Sequence, residues 1–201
     1  MLDSPHPKQE LVGFMFERID TAIPGVFILT PRVFRDPRGF FLETYHAVKF
    51  EQLGIRDRFV QDNHSQSRKL TLRGLHYQLR HPQAKLCRVI RGEVLDVAAD
   101  IRRGSPTFGK WVSAVLSAEN MHQIYVPAGF AHGFVVLSEE AEFLYKCSDF
   151  YDPADERGVH WADPDLKIDW HISHPILSDR DARHPRLAEI SPDQLPGNSP
   201  P

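Results

Sequence analysis

Short apolar runs, each broken by turn-forming residues, recur along most of the chain. Residues 26–29 (VFIL) form one run, closed by Pro31. Residues 39–45 (GFFLETY) form another, opened by the turn-like DPRG at 36–39. Residues 86–90 and 94–98 flank Arg91, Gly92 and Glu93, a pattern that predicts a hairpin. Residues 111–116, 123–126, 132–137 and 142–147 continue the series, with turn signals at Pro106, Gly109, 127–129 and 138–140. Helical patterns are few. Residues 47–53 carry Val48 and Leu53 and stop at Gly54, and residues 178–183 read as one turn capped by Ser178. Many short, regularly spaced strands predict an all-β sandwich or barrel with a few short helices, and argue against a βαβ fold. No glycine-rich dinucleotide fingerprint or P-loop is present, which removes those two nucleotide-binding modes.

The ends have a different texture. Residues 1–10 are polar, with Pro5 and Pro7, and residues 191–201 contain four prolines. The expected organisation is an N-terminal extension over 1–16, one domain over 17–190 and a proline-rich tail over 191–201, with both ends loose. The chain of 201 residues suits a single core.

Charge narrows the partners. The net charge is −3 and no block of Lys and Arg appears, so nucleic acid and anionic membrane surfaces are not expected partners. An anionic small ligand fits, because a pocket can be basic while the whole is not. The apolar run at 11–16 is too short for a signal peptide, and no segment approaches the ~20 apolar residues of a membrane span, so a cytoplasmic location is expected. Cys87 and Cys147 sit in apolar runs and read as buried, reduced thiols, with a single disulfide as the alternative.

Four segments could carry chemistry. In LRGLHYQ (72–78), Arg73 and His76 differ in parity and would face opposite sides of a regular strand. A bulge at Gly74 would turn both inward; a surface strand with two solvated side chains is the alternative. PAGFAHGF (127–134) carries a P-x-G-x-x-H spacing that resembles the second half of the signature of cupins, a jelly-roll family in which that histidine often binds metal. The first half would be His76 to Gln78. Gln78 stands where the second histidine is expected, residues 79–85 hold no Glu, and Lys85 brings a cation close by. A zinc or iron site needs three or more ligands and two are evident, so the reading is a barrel without metal. His132 then orients the site or is structural. In EFLYKCSDFY (142–151), Phe143, Tyr145 and Cys147 share a strand face, which makes Tyr145 either a core tyrosine or a phenol in a pocket. LSDRD (177–181) offers Asp181 or a plain polar turn.

Taken in order, these segments resemble the dTDP-4-dehydrorhamnose 3,5-epimerase family. The similarity also takes in TAIPGV at 21–26, DPRGFFLE at 36–43, FVQDNHS at 59–65, KLCRV at 85–89, GEVLDV at 92–97 and SPTFG at 105–109. It spans residues 17 to 190. The resemblance implies a cupin-type jelly-roll homodimer with exchanged strands, no metal and no organic cofactor. It also implies a dTDP-4-keto-6-deoxy sugar as substrate, epimerised at C3 and C5 through enolates on the route to dTDP-L-rhamnose. Carried over by motif, His76 is the general base, Asp181 orients it, Tyr145 is the proton donor and Lys85 sits at the ketone. Arg38, Glu43, Gln61, Asn63, Arg73, His132 and Glu156 contact the substrate. Arg180 is given the same task, although the family often has Lys there and Arg is a planar fork. Three other readings compete: an epimerase acting at one carbon, a metal-dependent cupin oxygenase, and a nucleotide-sugar-binding module without catalysis.

Overall fold

The computed structural model describes residues 15–198. The expected extension over 1–16 therefore lies almost wholly outside the described residues. In chain order come β1 (Phe16–Asp20), β2 (Phe27–Pro31), β3 (Phe34–Asp36), β4 (Gly39–Phe41) and α1 (Ala47–Gln52). Next are β5 (Gln61–Arg68), β6 (Leu72–Gln78), β7 (Lys85–Arg91), β8 (Glu93–Asp100) and β9 (Trp111–Ser117). The last strands are β10 (Gln123–Val126), β11 (Phe130–Val136), β12 (Glu140–Cys147) and β13 (Glu156–Gly158).

Two antiparallel sheets result. One has the order β1-β2-β10-β7-β12-β5 and the other β13-β6-β11-β8-β9, while β3 and β4 form a separate two-stranded ribbon. Side chains alternate along each strand, and here both sides of each sheet are covered. Val89, Ile124 and Phe143 of the first sheet meet Val94, Ala98 and Phe134 of the second to form the inner core. Leu72, Leu95 and Val97 point the other way, under Leu166, Trp170 and Leu187 of the C-terminal segment. Phe27, Leu29 and Leu86 lie under Phe50 of α1 and Ile55. This double cover explains why every residue of β11 is buried. The all-β expectation holds.

The hairpin expected around Gly92 is not formed. β7 pairs with β10 and β12, whereas β8 pairs with β9 and β11, so the chain crosses from one sheet to the other at Gly92. Gly92 has φ +73°, and a Cβ there would collide with Glu140 O and Ser138 Oγ. Two adjacent apolar runs around a glycine look the same whether they pair or face each other across a core. Residues 191–198 also differ from the loose tail expected. Leu195 is buried, Tyr77 Oη donates to Gln194 O at 2.9 Å, and Arg103 forms a bridge with Gly197. Cys87 and Cys147 are buried and unlinked.

Candidate active site

β6 is regular until Gly74. Opposite β11, His132 aligns with His76 and Phe134 with Arg73, so β6 holds one extra residue between them. Gly74 makes this possible, with φ +116° and space so tight that a Cβ would lie 2.6 Å from Gly133 Cα and 2.7 Å from His132 O. The bulge puts Arg73 and His76 on the same side, and both line a cavity of about 420 Å³ between the sheets.

His76 Nε2 lies 2.5 Å from Asp181 Oδ1. Asp181 opens a single 3-10 turn, Asp181–Arg183. Ser178 Oγ donates to Asp181 Oδ2 at 2.8 Å and accepts from the Asp181 N–H at 3.1 Å. Ser178 thus fixes the turn as expected, though through the aspartate rather than as a conventional helix cap. Burial pushes the Asp181 carboxyl up, but His184, His76 and Ser178 together hold it well below the usual carboxylate range. Asp181 is therefore a buried anion aimed at the imidazole. With Nε2 engaged, Nδ1 is the ring nitrogen left to meet a ligand, and Glu156 Oε1 is 3.8 Å from it. Glu156 is itself held by Tyr151 Oη at 2.9 Å and by an ion pair with Arg180.

The opposite wall comes from the first sheet. Tyr145 on β12 and Lys85 at the start of β7 line the same cavity, with Lys85 Nζ 6.0 Å from the Tyr145 ring centre. The Tyr145 phenol is pushed up to about 12, mainly by burial, with Cys147, Cys87 and Glu156 adding and Arg73 opposing. It thus stays protonated near neutral pH. Gln61 and Asn63 reach the cavity from β5, and Gln61 Nε2 donates to Asn63 Oδ1 at 3.0 Å. Arg73 is steadied by Ser67 Oγ at 3.0 Å. At the base of the cavity, His132 Nε2 lies 2.9 and 3.0 Å from the two oxygens of Asp96, which is fully buried.

The cavity thus gathers ten of the twelve residues singled out from sequence: Gln61, Asn63, Arg73, His76, Lys85, His132, Tyr145, Glu156, Arg180 and Asp181. Arg38 and Glu43 lie elsewhere in the chain. Arg38 is in the β3–β4 turn, its guanidinium on Asp36 at 2.6 Å, and Glu43 accepts from Lys49 at 2.8 Å. Sequence reasoning missed Asp96, Tyr151 and His184, and it read Ser178 only as a turn cap. Asp96 carried a usable signal, being an acid between Val94 and Ala98 on the inward face of β8.

Chemically, a base held by a buried carboxylate faces a protonated phenol across a basic cavity. That arrangement suits proton transfer on opposite faces of an anionic ligand. The model of the family described as dTDP-4-dehydrorhamnose 3,5-epimerase matches residues 20–189. A dTDP-4-dehydrorhamnose 3,5-epimerase from Pseudomonas aeruginosa is 58% identical over 170 residues, covering 84% of this chain and 94% of that one. The crystal structure of a dTDP-6-deoxy-D-glucose-3,5-epimerase from Legionella pneumophila in complex with dTDP-4-keto-L-rhamnose superposes with a TM-score of 0.90 at 50% identity. That match covers 92% of this chain and all of the other. A dTDP-4-dehydrorhamnose 3-epimerase from Streptomyces niveus is 44% identical over 169 residues, 83% of this chain and 82% of the relative.

Proposed function

Because the chain belongs to the dTDP-4-dehydrorhamnose 3,5-epimerase family, we propose that it epimerises dTDP-4-dehydro-6-deoxy-D-glucose at C3 and C5, giving dTDP-4-dehydro-L-rhamnose. The observation that carries the reading is the opposition of His76 on one sheet, with Asp181 behind it, and Tyr145 on the other, within one cavity.

The chemistry needs each part. A proton on the carbon beside the C4 ketone is weakly acidic, and its removal leaves an enolate with charge on oxygen. His76 Nδ1 takes that proton as Asp181 stabilises the imidazolium at Nε2. Lys85 offers a cation to the developing oxyanion and so favours the transition state over the ground state. Tyr145 returns a proton to the opposite face of the carbon, and the C4 carbonyl re-forms. Exchange with solvent restores the neutral base and the phenol, and the cycle repeats at the second carbon. Arg73 and Arg180 supply charge for the diphosphate, with Gln61 and Asn63 nearby for polar contacts.

A homodimer accounts for Arg38, one of the two residues outside the cavity. The β3–β4 ribbon presents Phe40 and Phe41 at 56% and 68% exposure, next to Arg38. Exposed aromatics on a short ribbon suit docking against a second copy, which would carry Arg38 toward the cavity of that copy. Phe41→Asp should yield a monomer in light scattering; an unchanged dimer, or a monomeric wild type, would contradict this part of the reading.

The activity is tested by incubating the purified protein with dTDP-4-dehydro-6-deoxy-D-glucose in ordinary water. Proton NMR should show the ring couplings of the L-rhamno product. A product changed at a single carbon would favour the one-carbon reading, which the Streptomyces niveus relative represents.

A further inference from the structure

His184 closes the back of the His76–Asp181 pair. Its side chain is 9% exposed and stacks over Gly158, where any Cβ would collide with the imidazole. The ring stands edge-on to His76, with centroids 5.5 Å apart and planes at 79°. Its Nε2 is buried without a hydrogen-bond partner and points at Asp181 Oδ1 from 3.5 Å. The same oxygen is 2.5 Å from His76 Nε2. One ligand atom from each of the three side chains lies within 4.8 Å of the others. With only that long contact to a carboxylate, the buried nitrogen is incompletely compensated for its desolvation, and a closer ligand would satisfy it.

We propose that His76, Asp181 and His184 form a binding site for a zinc-class divalent cation, and that filling it switches off the base. Two imidazoles and a carboxylate are a donor set suited to zinc, whereas calcium and magnesium prefer oxygen alone. Three protein donors leave a fourth position for water. Zinc sits about 2.0–2.2 Å from such donors, so His76 Nε2 must draw back from Asp181 Oδ1, now 2.5 Å away, to admit the ion between the three side chains. The His76 Nε2–H proton must leave that nitrogen for the metal to bind. A neutral ring with metal on Nε2 carries its proton on Nδ1, the nitrogen that faces substrate, and can no longer accept one. The other cluster of this kind among the described residues, Cys87, Asp96 and His132, has no open donor. His132 Nε2 is taken by both oxygens of Asp96, and burial keeps the Cys87 thiol protonated.

The effect on turnover rests on the proposed epimerase function; binding does not. The test is therefore a Co2+ titration of the substrate-free, full-length protein, read by visible absorption and back-titrated with Zn2+. One Co2+ per chain with a low-symmetry spectrum, displaced by Zn2+, is expected. His184→Ala should weaken binding at least tenfold, and His184→Cys, which restores a soft ligand, should keep it. In wild type, Zn2+ should shift the ring nitrogens of His76 and His184 together in nitrogen-15 NMR, which needs no variant to fold. No Co2+ spectrum, equal affinity in His184→Ala, or Zn2+ shifts confined to other histidines would each overturn the site. Binding as described in a protein that does not epimerise the sugar would remove the function and leave the site standing.

Discussion

His76 and Asp181 are 105 residues apart in the chain, yet Nε2 of one lies 2.5 Å from Oδ1 of the other. A strand bulge delivers the histidine and a serine-braced turn delivers the carboxylate. The pair is a fixed geometric unit before any ligand arrives.

Asp181→Asn tests that unit. An amide keeps the shape but cannot stabilise an imidazolium. Turnover should fall by about 10²–10⁴-fold while the melting profile still shows a cooperative fold. Steady-state rates at neutral pH decide the matter, and a loss below about threefold would remove Asp181 from the mechanism.

Tyr145 should behave as an acid that does not run out. Its phenol is pushed up to about 12, so the donor form persists at lower pH and is lost only as pH climbs through that value. Ultraviolet titration of wild type against Tyr145→Phe should place the missing ionisation there. In the same variant, loss of ring protons to solvent should survive better than product formation. Equal loss of both would count against the donor role.

Asp100 predicts an acid-stability effect away from the cavity. It accepts bonds from Arg102, Ser105 and Thr107 at 2.5–2.9 Å. Burial pushes its carboxyl up, but these bonds win and hold it at about 2. The folded value lies below the unfolded one, so the stabilisation is full above the ordinary carboxylate range and drains away as pH falls toward 2. It amounts to about 2 kcal/mol at neutral pH. Thermal melts of Asp100→Asn should show lower stability at pH 7 and a flatter decline below pH 4 than wild type.

Gly74→Ala should be severe. The added carbon would lie 2.6 Å from Gly133 Cα, at a φ of +116° that alanine rarely adopts. The expected cost is about 3 kcal/mol or more, with turnover lost out of proportion because His76 follows in the same bulge. Chemical denaturation beside an activity assay reads both, and a wild-type midpoint would show that the bulge relaxes freely.

The strands were legible wherever one face was apolar, as over 111–117 and 123–126. One strand was not legible because its cavity-lining face is polar. β5 reads QDNHSQSR and carries no hydrophobic alternation, because Gln61, Asn63 and Ser65 face the site rather than the core. The Gly92 crossing failed for a different reason: local pattern shows that two runs are buried, not which sheet each joins. His76 and Asp181 were named through family resemblance; LSDRD alone would have passed for a polar turn. His184 carried no sequence signal at all, since its meaning depends on the vacancy over Gly158.

The most direct measurement is deuterium incorporation. The wild-type protein and dTDP-4-dehydro-6-deoxy-D-glucose are mixed in deuterated water and followed by proton NMR. The proposed chemistry predicts loss of both the C3 and C5 proton signals in wild type and of neither in His76→Ala. Exchange at neither carbon by the folded wild-type protein, or full exchange in His76→Ala, would contradict it.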